Sequence, residues 1–285
     1  MIHRYQKKGL NFVLDVNSGA VHLLDDISYA VSGLIDENMT EKCPESVVEA
    51  LPQYAADDVR EAYGELYELK KAGQLFAEDD YIDVSRYIPV GAPVKALCLH
   101  VAHDCNLRCK YCFASTGDFG QGRKIMPPEV AKKAIDFVIA RSGKRRNIEV
   151  DFFGGEPLMA WDTVTQTVDY ARSIEEQHGK KFRFTITTNG LLLDEDKRRY
   201  INENMDNCVL SLDGRREVND EFRKTVAGTG SYDTIVPKFK ALVDERDPNL
   251  DYYARGTFTS HNLDFANDVL SIADAGFDRL SVEPV

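Results

Sequence analysis

The sequence predicts an α/β protein in two parts: a small domain of the winged-helix type over residues 1–78, and a partial parallel (β/α)6 barrel of the TIM type over residues 94–285. Two patterns support this division. Before Glu78 a hairpin pattern is followed by helical patterns, whereas from Val94 onward strand and helix patterns alternate. Such alternation indicates parallel strands covered by helices. The acidic, proline-containing residues 79–93 between the two parts are predicted to be a linker.

The N-terminal part begins with a predicted hairpin over residues 10–24. Apolar residues alternate on both sides of Asn17-Ser18-Gly19, which has the composition of a turn. A helix follows, with the spacing of one buried face from Ile27 to Ile35. A short helix near Pro44 and a longer one through Val59–Leu69 come next. A hairpin with three helices suits a winged-helix module.

The C-terminal part contains more predicted strands than predicted helices. The candidate strands are 95–102, 147–153, 182–188, 207–212, 252–259 and 279–283. The candidate helices between them are 127–141, 160–178, 194–204, 231–244 and 262–274. Because a buried parallel strand needs a helix to cover it, we expect that further sequence normally follows Val285.

The charge of the chain excludes some classes of partner. A net charge of −12 argues against general binding of nucleic acids or anionic membranes. The excess is local, since residues 1–90 hold 8 Lys+Arg against 17 Asp+Glu; this is either a solvated acidic surface or a module that recruits a basic peptide. No apolar run approaches the roughly 18 residues of a membrane span, and the start lacks a secretory signal. The sequence therefore predicts a cytoplasmic protein.

Three of the six cysteines fall within eight residues, Cys105-Asn106-Leu107-Arg108-Cys109-Lys110-Tyr111-Cys112, directly after the first predicted barrel strand. Such clustering favours metal or redox chemistry over disulfides. Three thiolates at this spacing can bind three irons of a four-iron cluster and leave the fourth iron for a substrate. A zinc site or a ferredoxin-type cluster would need a fourth ligand. The nearest cysteine, Cys98, is predicted to be a core residue, and Cys43 and Cys208 have no assigned role.

This cysteine motif resembles that of the radical S-adenosylmethionine (SAM) superfamily. The resemblance implies a [4Fe-4S] cluster held by Cys105, Cys109 and Cys112, which are thus both metal ligands and catalytic residues. SAM would bind the free iron through its amino and carboxylate groups. One-electron cleavage of SAM then gives methionine and a 5′-deoxyadenosyl radical that abstracts a hydrogen atom. The protein positions and shields these cofactors.

Further residues at strand ends match SAM-binding positions of the superfamily. The Gly154-Gly155-Glu156 sequence resembles the motif that binds the SAM amino group. Ser211 and Arg223 hold positions that contact SAM, the arginine through the SAM carboxylate. Two aromatic residues flank the third cysteine, Tyr111 and Phe113, and both are predicted to contact the cofactor. Tyr111 holds the position that packs on adenine in relatives, with core packing as the alternative. No role is assigned to Arg255 or Glu283.

The chain also resembles the maturases of six-cysteine (SCIFF) peptides, through residues 11–26 and 96–104. That resemblance implies a peptide-recognition domain at residues 1–78 that binds the leader of a ribosomal precursor peptide. It also implies thioether links from a peptide cysteine to an α-carbon, and a reductant such as a flavodoxin or ferredoxin. SCIFF maturases carry a cysteine-rich SPASM domain, but no cysteine follows Cys208 here. The alternatives are another radical SAM reaction on a peptide and a non-catalytic protein that holds zinc.

Overall fold

The computed structural model describes residues 1–79 and 91–285. They form two compact units, one within Met1–Val90 and one over Gly91–Val285. Most of the predicted linker, residues 80–90, lies outside the described residues.

The N-terminal unit combines an antiparallel sheet with three helices among its described residues. The strands, in the order β1-β2-β3, are Ile2–Lys7, Leu10–Asp15 and Val21–Leu24. The helices are α1 (Asp26–Ser32), α2 (Glu45–Glu49) and α3 (Ala56–Lys71). The predicted hairpin is confirmed as β2 and β3. Strand β1 was not predicted, because its polar sequence shows no apolar alternation.

The core of this unit lies between the sheet and the helices. Val13 of β2, Val31 of α1 and Val59 of α3 are all fully buried. Asp25 caps α1 by accepting a hydrogen bond from the Ser28 amide at 2.7 Å. The winged-helix classification and the domain bounds of 1–78 stay predictions.

The C-terminal unit is built on one mostly parallel sheet. Its strands are β4 (Ala96–His103), β5 (Lys124–Ile125), β6 (Asn147–Gly154), β7 (Lys181–Thr188), β8 (Asn207–Ser211), β9 (Asp251–Phe258) and β10 (Leu280–Pro284). Their order is β10-β9-β8-β7-β6-β4-β5, and only β5 is antiparallel to its neighbour. The six predicted strands are thereby confirmed. Among the described residues the two end strands of the sheet, β10 and β5, do not pair with each other. That the sheet curves into a partial barrel stays a prediction.

Helices connect the parallel strands. They are α4 (Pro128–Arg141), α5 (Trp161–Glu175), α6 (Glu195–Asn204), α7 (Arg216–Phe222), α8 (Tyr232–Asp244) and α9 (Ala266–Asp274). The five predicted helices are confirmed, and the short α7 is additional. Among the described residues, no helix is both long and apolar enough to cross a bilayer.

Alternation along the strands separates a core face from a second face. Phe152, Phe184 and Leu210 are fully buried in one cluster with Ile135 and Val164 of the helices. The intervening residues, such as Phe153 and Thr187, point to the opposite face because successive strand side chains alternate. The functional residues described below lie at the carboxyl ends of the strands on that side.

Candidate functional site

A cavity of about 450 Å³ lies at the carboxyl ends of the parallel strands. It is lined by every residue to which the sequence assigned a cofactor role, namely Cys105, Cys109, Tyr111, Cys112, Phe113, Gly154, Gly155, Glu156, Ser211 and Arg223. These residues come from three separate parts of the chain. The sheet topology brings them together, as expected for an α/β protein whose site lies at the carboxyl edge.

The three cysteines are half-buried at the wall of the cavity. Burial raises the pKa of Cys105 to about 12 and also raises the pKa of Cys109. The thiols of Cys105 and Cys109 are therefore protonated at neutral pH unless a cation compensates the charge of their thiolates. Iron supplies such compensation when thiolates bind it. Near this wall the Asn189 side-chain amide donates to Cys105 Sγ at 3.6 Å.

The cysteine loop is fixed by a distant segment of the chain. The Arg108 amide donates to the Lys224 carbonyl at 2.7 Å, and the Lys110 amide donates to the Phe222 carbonyl at 3.0 Å. The Lys110 ammonium also pairs with Glu221 at 3.2 Å. The loop is therefore tied by its backbone to the end of α7.

Two consecutive glycines let the end of β6 approach the cysteine loop. A Cβ on Gly154 would lie 2.4 Å from the Ala102 carbonyl oxygen, and one on Gly155 would lie 2.1 Å from the Asp104 carbonyl oxygen. Gly154 also has a φ of +129°, which side chains rarely adopt. We expected these glycines to admit a ligand. The structure shows that the missing side chains of these glycines also leave room for the backbone that precedes Cys105.

Glu156 is buried, lines the cavity and links three segments of the chain. Its carboxylate accepts hydrogen bonds from the Thr188 hydroxyl at 2.7 Å, the Asn189 amide at 2.8 Å and the Leu158 amide at 3.0 Å. Burial raises the pKa of Glu156 to about 7, although these hydrogen bonds act in the opposite direction. A carboxylate offers about four lone pairs, so one remains for a ligand.

Tyr111 and Arg223 meet at a carboxylate that the sequence reasoning did not single out. The Tyr111 hydroxyl donates to Asp213 Oδ2 at 2.7 Å, and Arg223 Nε lies 3.0 Å from the same oxygen. Asp213 has no solvent exposure. Asp213 lies two residues after Ser211, and of these two residues only Ser211 was predicted to contact the cofactor.

Aromatic residues form the outer part of the site. Phe113 is 77% exposed and lies 6.0 Å from Phe119 and 6.3 Å from Phe153, measured between ring centroids. Phe119 also stacks on His100 at 4.9 Å. An exposed aromatic ring at a cavity mouth can contact a ligand that enters.

The residues without assigned roles are placed as follows. Arg255 and Glu283 form an ion pair on adjacent strands, and Arg255 lines the cavity. Cys208 is fully buried.

The prediction that Cys98 is a core residue is wrong, because its side chain is exposed. Leu99 and Val101 occupy the helix-covered face of β4, so Cys98 points to the opposite face.

Comparison with known proteins decides the family. Residues 99–252 match the Radical SAM superfamily. The chain belongs to this superfamily. Membership implies an enzyme that uses a [4Fe-4S] cluster and SAM, and the matched range contains all ten residues named above as lining the cavity.

Curated proteins similar to this radical SAM protein match it over part of their length. The radical SAM cyclopropyl synthase TigE of Paramaledivibacter caminithermalis is 29% identical over 65% of this chain and 40% of its own length. The uncharacterized protein MJ0907 of Methanocaldococcus jannaschii is 29% identical over 61% of this chain and 57% of its own. A cysteine-type anaerobic sulfatase-maturating enzyme of Clostridium novyi is 29% identical over 49% and 37%. The chain thus spans between 37% and 57% of these relatives.

Solved structures show the same fold. Native anSMEcpe with bound AdoMet has a TM-score of 0.59 at 22% identity, covering 67% of this chain and 51% of that one. The structure of native anSMEcpe with bound AdoMet and Kp18Cys peptide has a TM-score of 0.58 at 23% identity, with the same coverage. These similarities support the mostly parallel α/β fold.

The donor set of this radical SAM protein fits a cluster better than a single ion. Within residues 1–79 and 91–285, no three His, Cys, Asp or Glu side chains are arranged to hold one metal ion. A zinc site needs its ligands to converge on one point. A cubane does not, because each thiolate binds a different iron. The three cavity cysteines are therefore compatible with a [4Fe-4S] cluster.

A half-buried carboxylate on β6 gives a testable pH dependence of stability. Asp151 of β6 has one carboxylate oxygen that is buried and, in the described part of the chain, makes no hydrogen bond. Burial raises the pKa of Asp151 to about 6 from 3.8. Folding therefore favours the protonated form, and the stability that this form provides is lost as the pH rises through about 6.

We accordingly expect Asp151→Asn to raise Tm at pH 8 and to have less effect as the pH falls towards 5. Solvent screens this half-buried group, so the expected rise is roughly 2–4 °C. Glu149→Gln is the control, since Glu149 is exposed on the same strand. Thermal unfolding across this pH range tests the prediction, and equal shifts for the two variants would contradict it.

Proposed function

We propose that this radical SAM protein is a peptide maturase that forms thioether links, from a cysteine to an α-carbon, in a ribosomally made precursor peptide. The observation that carries the proposal is the joint location of Cys105, Cys109 and Cys112 with Glu156 and Arg223 around one cavity. That set offers three thiolates for iron, a carboxylate that accepts from an amino group and a guanidinium for a carboxylate. The SCIFF-like sequence at residues 11–26 favours the thioether reaction.

The protein's own residues would hold the cofactors in fixed positions. Cys105, Cys109 and Cys112 would bind the cluster, while Glu156 and Arg223 would orient the amino and carboxylate groups of SAM, with Ser211 beside them. When bound, cluster and SAM supply a one-electron cleavage that yields methionine and a hydrogen-abstracting 5′-deoxyadenosyl radical. Phe113 at the mouth would help to exclude water.

The proposed reaction removes one hydrogen atom, one proton and one electron from the peptide. The peptide loses a hydrogen atom from an α-carbon, and its cysteine loses the thiol proton as the carbon–sulfur bond forms. The remaining electron passes to a one-electron acceptor such as an oxidised iron–sulfur cluster. The linked peptide is two hydrogens lighter, and a flavodoxin or ferredoxin would supply the electron that cleaves SAM.

The N-terminal unit would bind the leader of the precursor peptide. In the described residues β3 pairs with β2 alone, so its other edge can accept a further strand. Val21 and Leu23 on this strand are 58% and 61% exposed and could contact alternate side chains of the leader. The acidic character of residues 1–90 suits a basic leader.

Another peptide modification, such as carbon–carbon crosslinking, epimerisation or sulfatase-type oxidation, is the alternative reaction of this site. The sulfatase-maturating relatives favour it as the second candidate. A non-catalytic zinc protein is disfavoured by the ligand arrangement around the cysteines.

Anaerobic reconstitution of the full-length gene product, followed by incubation with SAM, dithionite and candidate peptides encoded nearby, tests the proposal. We expect 5′-deoxyadenosine, a peptide lighter by two hydrogens, and the loss of one thiol that iodoacetamide can alkylate. Crosslinking between carbons would leave every thiol free, and epimerisation would leave the mass unchanged. Absence of 5′-deoxyadenosine would contradict any radical SAM activity.

The proposed role of Glu156 predicts that SAM binding weakens at low pH. Since its pKa in the free site is about 7, protonation below that pH removes the carboxylate that accepts from the SAM amino group, and the Kd should rise by up to about tenfold per pH unit. Glu156→Gln cannot titrate and is expected to bind weakly, with only the pH dependence of SAM itself. Calorimetry between pH 6 and 8 checks this, and identical profiles for the two proteins would refute the role.

A further inference from the structure

We propose that Asp213 is a positioning residue that aims Arg223 at the carboxylate of bound SAM, and that Tyr111 acts in the same unit through its hydroxyl group. This inference rests on the proposed binding of SAM in the cavity. It gives Tyr111 a different role from the one expected, which was to provide a ring that packs on adenine.

Every oxygen of the Asp213 carboxylate is used inside the protein. Oδ2 accepts from the Tyr111 hydroxyl at 2.7 Å and pairs with Arg223 Nε at 3.0 Å. Oδ1 accepts from the Thr257 amide at 3.1 Å. Asp213 is fully buried and is not among the residues that line the cavity, so it can influence SAM only through the groups that it holds.

The backbone of Arg223 is held in place by two hydrogen bonds. Its amide donates to the Asn219 carbonyl at 2.7 Å, and its carbonyl accepts from the Ser231 hydroxyl at 2.8 Å. The guanidinium carbon lies 5.5 Å from the centre of the Tyr111 ring. In the described residues, no protein group accepts a hydrogen bond from its two terminal nitrogens. Since Arg223 lines the cavity, those nitrogens are free to form a forked pair with a carboxylate.

Arg223 needs Asp213 as a counter-ion because its positive charge is buried. The Arg223 residue is only 8% exposed, and a buried cation without a counter-ion is strongly disfavoured. Asp213 compensates the charge through Nε and leaves the fork of the guanidinium unoccupied. The contact is an ion pair without the alignment of a full hydrogen bond, so the orientation of the carboxylate is fixed by the Tyr111 hydroxyl on Oδ2 together with the Thr257 amide on Oδ1.

The Tyr111 ring is already covered within the protein. Its centroid lies 5.9 Å from that of Phe222, and Arg223 lies over the ring. A pure stacking role requires the ring alone, so Tyr111→Phe would then be silent. A role through Asp213 requires the hydroxyl, so the same substitution would weaken SAM binding. This difference separates the two interpretations.

The test measures the Kd of reconstituted protein for SAM and for decarboxylated SAM, which lacks the carboxylate. We expect Tyr111→Phe to weaken SAM binding several-fold and Asp213→Asn to weaken it about tenfold, equivalent to about 1.4 kcal/mol. Binding of decarboxylated SAM should change by less than twofold in both variants, and the iron content should stay at the wild-type value. Tyr170→Phe is the control, because Tyr170 forms a similar bond to Asp136, at 2.6 Å, on the surface.

The outcomes separate this inference from the proposed function. If wild-type protein does not bind SAM, both are wrong. If it binds SAM but Tyr111→Phe and Asp213→Asn bind as tightly as wild type, only the positioning role is wrong. Equal weakening for both ligands would show a general loss of structure and would also overturn it. Should Asp213→Asn fail to fold, Tyr111→Phe still decides the question, since its ring remains in place.

Discussion

Replacing Cys109 with alanine is expected to abolish the formation of 5′-deoxyadenosine. The substitution removes one of the three cysteines that line the cavity, and the two that remain would not hold a four-iron cluster in place for SAM. Wild-type protein should contain about four irons per chain after anaerobic reconstitution, whereas the variant should contain less and lose the brown absorbance. Leader binding by the N-terminal unit should persist, because that unit has a separate core.

Cys98→Ala is the matched control for this experiment. Cys98 lies on the strand that leads into the cysteine loop, but its side chain is exposed and does not line the cavity. We expect it to keep the wild-type iron content and SAM cleavage. If Cys109→Ala still cleaves SAM at the wild-type rate, the assignment of the three cysteines is wrong.

The second large effect is expected for Gly155→Ala. A Cβ at this position would lie 2.1 Å from the Asp104 carbonyl oxygen and 3.0 Å from the Gly117 carbonyl oxygen. These are backbone atoms, so the loop that carries Cys105 must move. Overpacking of this kind costs about 1–3 kcal/mol, and a shift of about 1 Å at a reacting centre can slow catalysis about a hundredfold. We therefore expect a lower Tm and a hundredfold or greater loss of SAM cleavage.

Gly64→Ala provides the comparison for that variant. Gly64 lies within α3, and a Cβ there would meet nothing within 4 Å. Alanine favours a helix over glycine by about 1 kcal/mol, so the control should be as stable as wild type or more stable, with full activity. Wild-type SAM cleavage by Gly155→Ala would contradict the tight approach of the loop to β6.

The predictions that succeeded rest on local patterns. Buried strands such as β6 and β7 carry an apolar residue at every second position, so each strand can be predicted from its own sequence without knowledge of its partner strands. The cysteine spacing and the Gly-Gly-Glu sequence are also local. Their meeting at one cavity followed from the rule that parallel strands end at a common edge.

The features that were missed depend on tertiary contacts. Strand β1 is polar and pairs only with β2, so no hydrophobic pattern marks it. Cys98 lies among apolar residues, but the sequence of the strand alone does not show which face of the sheet the helices cover. Asp213 and Asn189 each follow a strand as turn residues do, and their partners lie far away in the chain: Tyr111 for Asp213 and Cys105 for Asn189.

The attachment of residues 108–110 to residues 222–224 has a consequence for maturation in the cell. These two segments are more than a hundred positions apart, so the loop cannot take up its final shape until translation has passed Lys224 and the intervening strands have paired. We expect iron and sulfide to enter a chain that has already folded, unlike zinc fingers, whose folding is driven by the metal. Oxygen exposure that strips the iron should then leave an empty but intact scaffold that can be refilled.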